Sequence, residues 1–192
     1  MLFCAGELPS CRHVRYCADA TTITTLDSTG DVGSYNSIVL GADDNPVIAY
    51  YDATNKDLKV AACSNPTCTS ATITTVASSG WVGSYNSIAL GADNNPIIAF
   101  IRDGGDVRVI ACLNPTCTSS ILNGFGNAVF DGVDAASQAG NTSIAIGADD
   151  KPIISWARTG HDLYVAVCGD PTCSDAAFSA EPLIVCMRAM LG

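Results

Sequence analysis

Positive charge is what this chain of 192 residues has least of: nine Lys and Arg stand against nineteen Asp and Glu, for a formal net charge of −10. Charged residues of both signs reach only 15%, where a soluble domain ordinarily carries roughly a quarter. The few cations are scattered, so no basic stripe exists to hold phosphates, and a nucleic-acid partner is excluded. An anionic membrane surface is excluded on the same ground. No apolar run of about 18 residues occurs, which excludes a helical membrane span. Histidine is nearly missing: His13 and His161 are the only two, and neither has a Ser or Cys beside it in a GxSxG-type nucleophile motif. No segment combines helical periodicity with caps. The opening MLFCAGELPSC lacks a charged start and a continuous apolar stretch, so it does not read as a signal peptide.

What is present is repetition. GSYNSIVLGADDNPVIAYYDATNKDLKVAAC at Gly33 to Cys63 returns as GSYNSIALGADNNPIIAFIRDGGDVRVIAC at Gly83 to Cys112, and more loosely as GNTSIAIGADDKPIISWARTGHDLYVAVC at Gly140 to Cys168. Pro46 and Pro96 stand 50 residues apart, Pro96 and Pro152 stand 56 apart, and the extra length falls between Leu122 and Asn141. A period near 50 built of several short strands is that of propeller blades, not of helical solenoids. Each unit reads as four strands. The first begins at Ser37, Ser87 or Ser143. A GADDNP-type turn follows, then a continuous apolar strand buried on both faces. The third strand alternates, with Leu58, Val60 and Ala62 on one face and Lys59 and Ala61 on the other. The fourth, ATITTV, has the threonine alternation of an outer strand. The predicted organisation is a cysteine-rich segment at 1–20, a three-repeat domain at 21–175 and a divergent segment at 176–192. The fold class is all-β, a β-propeller-like array of about three four-stranded antiparallel blades. Three blades do not close a ring, so closure is expected through a homodimer of six blades or through a longer chain. Residues 21–26 resemble a fourth strand without a repeat of its own.

The ten cysteines are patterned. Cys63 and Cys68, Cys112 and Cys117, and Cys168 and Cys173 each enclose four residues, SNPT, LNPT or GDPT. An Asn-Pro or Asp-Pro step marks a turn, so each pair sits where the third strand turns into the fourth, within reach of a disulfide. Each such small loop contributes about 2 kcal/mol in the chain-entropy picture. Cys11 and Cys17 read as a stretched fourth example. Cys4 and Cys186 are left over, to pair with each other, to join two chains or to stay free. Zinc fits these spacings less well than disulfides do, and no cofactor or metal is called for. Disulfides imply an oxidising compartment, extracellular or periplasmic.

The chain resembles a group of secreted bacterial repeat proteins with units close to SIALGADGNPVISYYDATNGDLKVAxC followed by a short cysteine loop. The resemblance runs from residue 17 to about 175. It implies a β-propeller array, and it carries no assigned catalytic motif.

In such blades the linkers between blades and the second-to-third-strand turns emerge on one face. That face is expected to carry Tyr35, Trp81, Tyr85, Asp52, Asp57, Arg102, Asp103, Asp106, Arg158, His161 and Asp162. Aromatics beside carboxylates on loops suit sugars or peptides. The competing reading for Tyr35 and Tyr85 is packing between blades, because repeated aromatics serve a repeat's own core. The turns at Asp43–Asn45, Asp93–Asn95 and Asp149–Lys151 favour hairpins over calcium, which wants six to eight oxygens. Carboxylate pairs such as Asp103 and Asp106 serve glycoside hydrolysis only at the correct separation. The expectation drawn is a non-catalytic, disulfide-stabilised module for extracellular binding of a glycan or protein, or for surface assembly. One alternative is a propeller-type hydrolase or lyase, and another is a self-associating structural protein without a ligand.

Overall fold

A computed structural model describes residues 23–102, 104–124, 139–158 and 163–174. The described residues form eleven strands and no helix. Blade one is β1 (Val32–Leu40), β2 (Pro46–Asp52), β3 (Asp57–Cys63) and β4 (Ala71–Ala77). Blade two is β5 (Val82–Leu90), β6 (Pro96–Arg102), β7 (Asp106–Cys112) and β8 (Ser120–Gly124). Blade three is β9 (Ala139–Ile146), β10 (Pro152–Arg158) and β11 (Leu163–Val167). Each sheet is an antiparallel meander with its strands in chain order. The expected fourth strand of blade three falls outside the described residues, as do 1–20 and 176–192.

The first strand of each blade starts earlier than the sequence suggests, at Val32, Val82 and Ala139 instead of Ser37, Ser87 and Ser143. GSYN has the composition of a linker, yet it stays in the ladder through a bulge. Ser34 pairs with Tyr51 and Ser37 with Ala49, three steps on β1 against two on β2. The extra residue is absorbed by left-handed backbone at Tyr35 (φ 52°) and Tyr85 (φ 50°). Residues 23–28, by contrast, form no ladder.

The first strands lie innermost: β1 packs on β5, and β5 on β9. Serine hydroxyls tie them, since the Ile88 N–H donates to Ser37 Oγ (3.3 Å) and the Ile144 N–H to Ser87 Oγ (3.2 Å). The second strand of the middle blade, β6, is apolar from Pro96 to Ile101 because both its faces are covered. In β6, Ile98 and Phe100 pack toward Val47, Ala49, Leu58 and Val60 of blade one. Ile97, Ala99 and Ile101 pack toward Ile154 and Trp156 of blade three. Leu58 and Val60 are fully buried while Lys59 faces away from that core, as the alternation predicts. At the far end of each described hairpin, Cys63–Cys68, Cys112–Cys117 and Cys168–Cys173 are bonded, each with Cα atoms 4.9 Å apart. The Asn65 side chain accepts from Thr67 Oγ1 and the Thr69 N–H within the first loop, and Asn114 does the same for the second.

Candidate functional site

At the end opposite the disulfides, the inter-blade linkers meet the β2–β3 turn, as expected of four-stranded blades. The Asp31 N–H donates to Thr54 Oγ1 (2.7 Å), and the Ala53 N–H donates to the Asp31 carbonyl (2.8 Å). One linker further on, the Val82 N–H donates to the Lys56 carbonyl (3.1 Å), and the Lys56 ammonium stands 4.3 Å above the Trp81 ring. The bulges of the inner strands also lie at this end. Tyr35 and Tyr85 hold ring centroids 4.5 Å apart, and Tyr51 stands 6.0 Å from Tyr35. Asn141 occupies the same left-handed position in β9 (φ 50°). A bulky residue in left-handed backbone costs on the order of 1–2 kcal/mol, and here that conformation recurs at one position of three neighbouring strands. Tyr35 remains 43% exposed and Trp81 55%. A hydrogen bond with Tyr85, burial and the charge of its neighbours raise the Tyr35 hydroxyl above its usual range.

Two carboxyls share one rung beside these rings, for Asp52 ends β2 directly opposite Asp57, which begins β3. Asp52 is 1% exposed. Burial works against its charge, but the Asn55 side-chain amide (2.9 Å) and backbone N–H (3.0 Å) donate to it. Those bonds and the Lys59 charge outweigh burial and lower its pKa. Asp57 goes the other way: burial first, then the neighbouring Asp52 anion, raise it, and Lys59 offsets only part. Lys59 itself bridges Asp52 (3.8 Å) and Asp27. Asp27 also accepts from Tyr50 Oη (2.8 Å). The Lys59 bond, followed by the Thr29 N–H, holds Asp27 at about 2. Burial and Asp27 push Tyr50 well above the ordinary phenol value.

Of the residues the sequence singles out, Tyr35 pairs with Tyr85 and Asp52 with Asp57 at the same end of the blade, and Trp81 lies on the linker, under Lys56. Arg102 and Asp106 form the corresponding rung of blade two, where Asp106 pairs with Arg108 at 3.1 Å. Asp103, His161 and Asp162 lie outside the described residues, and so does the side chain of Arg158. Cys4, Cys11, Cys17 and Cys186 lie outside them too. Sequence reasoning passed over Asp27, Tyr50, Tyr51 and Lys59. Comparing the repeats position by position finds them, because Asp27 stands where the next repeat has Ala77, and Tyr50 where it has Phe100. The GADDNP-type turns serve the backbone. Asp43 accepts from the Asn45 backbone N–H (3.1 Å) and amide (2.7 Å), and Asp93 receives the same pair from Asn95.

No protein-family model matches the chain, and no curated protein matches it in sequence. In fold it is similar to glycoside hydrolases. A thermostable family-43 glycoside hydrolase aligns at 13% identity with a TM-score of 0.52, over 77% of this chain and 54% of that one. An α-L-arabinofuranosidase from Lactobacillus brevis aligns at 14% identity and a TM-score of 0.48, over 72% of this chain and 50% of that one. An engineered GH43 enzyme with endo-xylanase and exo-arabinofuranosidase activity aligns at 17% and 0.46, over 69% of this chain and 26% of its own length. The chain therefore spans about half the length of these relatives or less. At such identities the likeness is one of fold: the sheets are propeller blades. It also corrects the expectation of a non-catalytic binding or assembly module. That expectation took regular repetition as the mark of a chain without chemistry, and the same blade architecture carries enzymes.

Proposed function

We propose that this chain is part of a propeller-type glycoside hydrolase whose sugar site is the end of blade one that carries the Asp52–Asp57 rung and the rings of Tyr35, Tyr51 and Tyr85. The reading is carried by one rung of the sheet, in which two facing carboxyls are driven in opposite directions, Asp52 down and Asp57 up. Such a split is how one site keeps an anion and a proton-bearing acid side by side. Glycosidic cleavage needs a carboxylic acid to protonate the departing oxygen, and a second carboxylate across the bond. Asp57 gives its proton to the departing oxygen, and the carboxylate that takes a proton from water as it attacks the anomeric carbon comes from the remaining blades of the ring. Asp52 is sealed from solvent, so it acts through Asp57 as a positioning residue, its charge keeping the proton in place. The tilted tyrosine rings offer apolar faces on which a sugar stacks. The disulfides fit an extracellular or periplasmic setting.

Hydrolysis of a panel of 4-nitrophenyl glycosides tests this. Asp57→Asn is expected to lower kcat by about 10²- to 10⁴-fold. Asp52→Asn removes the anion that raises Asp57, so the limb of the pH–rate profile where activity falls with rising pH moves to lower pH. A chain inert toward every glycoside, or an Asp57→Asn variant at full rate, overturns the reading.

We further infer that the ring is closed by a second copy of the chain. Both outer faces of the array expose apolar side chains: Ile38 (61%) and Leu40 (57%) on blade one, Leu163 (73%) and Val167 (55%) on blade three. Faces of this kind are covered in a closed propeller.

A further inference from the structure

Blades one and two are nearly the same sequence, so their few differences isolate what each has been given. Lys59 of β3 and Arg108 of β7 occupy one register position, opposite Tyr50 and Phe100 respectively. In blade one two carboxylates, Asp27 and Asp52, and the Tyr50 hydroxyl surround this region. In blade two Asp27 is replaced by Ala77, Asp52 by Arg102 and Tyr50 by Phe100. Both anions are gone and a second cation has been added.

The vacated space stays open. Ala77, Phe100, Arg102 and Arg108 line a cleft of about 290 Å³ between the two blades, with Ser78 and Ser79 at the linker. Arg108 donates from Nη2 to Asp106 (3.1 Å), while its Nε is buried with no hydrogen-bond partner among the described residues. A buried guanidinium N–H without an acceptor is costly, and an anion entering the cleft supplies one. Asp106 offsets one of the two positive charges, so the cleft keeps a net positive charge among the described residues, inside a chain of net charge −10.

We propose that this inter-blade cleft binds a small organic carboxylate, whose carboxylate group takes the place Asp27 holds in blade one and meets Arg102 and Arg108. The planar, multiply donating guanidinium matches a carboxylate better than a point charge would. The exposed Leu122 side chain on the cleft wall takes the body of the ligand, and the Ser78 and Ser79 hydroxyls are available to polar substituents on it. A cleft of this volume suits a molecule of about one ring. The site is separate from the Asp52–Asp57 rung and does not depend on the hydrolase reading.

Calorimetric titration of the full chain with glucuronate, benzoate, glucose and inorganic phosphate tests it. At least one of the two organic acids is expected to bind, more tightly than glucose or phosphate. Glucuronate alone identifies a sugar acid, benzoate alone an apolar acid, and both together recognition of the carboxylate itself. Ala77→Asp places a carboxylate at the position Asp27 holds in the preceding repeat, beside Arg108 in place of Lys59. It is expected to weaken acid binding by about tenfold or more. Arg102→Ala, at an exposed position, does the same without touching the core. Binding of neither acid overturns the proposal. So does equal binding of glucose or phosphate, or undiminished acid binding by both variants with wild-type circular dichroism.

Discussion

Gly33 and Gly83 share a backbone conformation, φ 99° and 101°, and differ only in surroundings. A Cβ on Gly83 would lie 2.7 Å from Leu58 Cβ, whereas one on Gly33 would meet nothing within 4 Å. Replacing either by Ala adds left-handed strain of about 1–2 kcal/mol, but only Gly83→Ala also forces blade two off blade one. Chemical denaturation should therefore rank Gly83→Ala clearly below Gly33→Ala, and equal losses would show that Leu58 does not press on the bulge. Asp27 carries a different signature. Its pKa lies at about 2 against an ordinary 3.8. A carboxyl lowered on folding adds stability that is complete above its unfolded value and is lost as pH falls through its folded one. Wild-type stability should thus drop between about pH 4 and pH 2 more steeply than that of Asp27→Asn. At neutral pH the same variant should lose about 1–3 kcal/mol, because Lys59 and Tyr50 lose an ionised partner. Parallel acid limbs for the two proteins would remove Asp27 from this role.

Among the elements, the hairpins closed by cysteine are alike in sequence and unlike in packing. Cys112 and Cys117 are 3% and 1% exposed, within the core between blades one and two. Cys63 and Cys68 occupy the matching place on blade one, whose corresponding face has no preceding blade among the described residues. Loss of either crosslink by paired Cys→Ala substitution should cost about 2 kcal/mol through the denatured chain. The Cys112/Cys117 variant should cost more, since it also leaves a cavity in a packed interface. Thermal melts of both variants measure this, and a larger loss at Cys63/Cys68 would contradict it. The strand pattern, the turns and these three pairings were legible from period and alternation. The first strands were not legible in full. GSYN has the Gly and Ser of a linker, and only ladder pairing to β2 reveals that a bulge keeps it in the sheet.

For the whole molecule, the exposed apolar residues at both ends of the array predict a solution mass of a dimer, about twice 19.7 kDa. Light scattering checks it. Leu163→Lys together with Ile38→Lys should shift the mass toward the monomer, and a wild-type monomer at all concentrations would exclude closure by self-association. The candidate site was half legible. Tyr35, Tyr85, Asp52 and Asp57 were found because the meander sends linkers and alternate turns to one end. Asp27 and Lys59 were not, since Asp27 lies in a segment that forms no ladder and meets Lys59, 32 residues on, only when that segment crosses the open face of blade one.

The linear order of residues determined the all-β class, the blade as the unit, the alternation of buried faces and the hairpin disulfides. Each of these depends on contacts within about fifty residues, the span over which side-chain period and turn chemistry act. Folding in three dimensions decided the rest: which carboxyl burial and a neighbouring anion raise, which arginine nitrogen lacks an acceptor among the described residues, and which cleft stays open between two nearly identical sheets. Those outcomes depend on burial between blades and on how each blade's charges are set against the segment beside it, and side-chain period alone does not encode them.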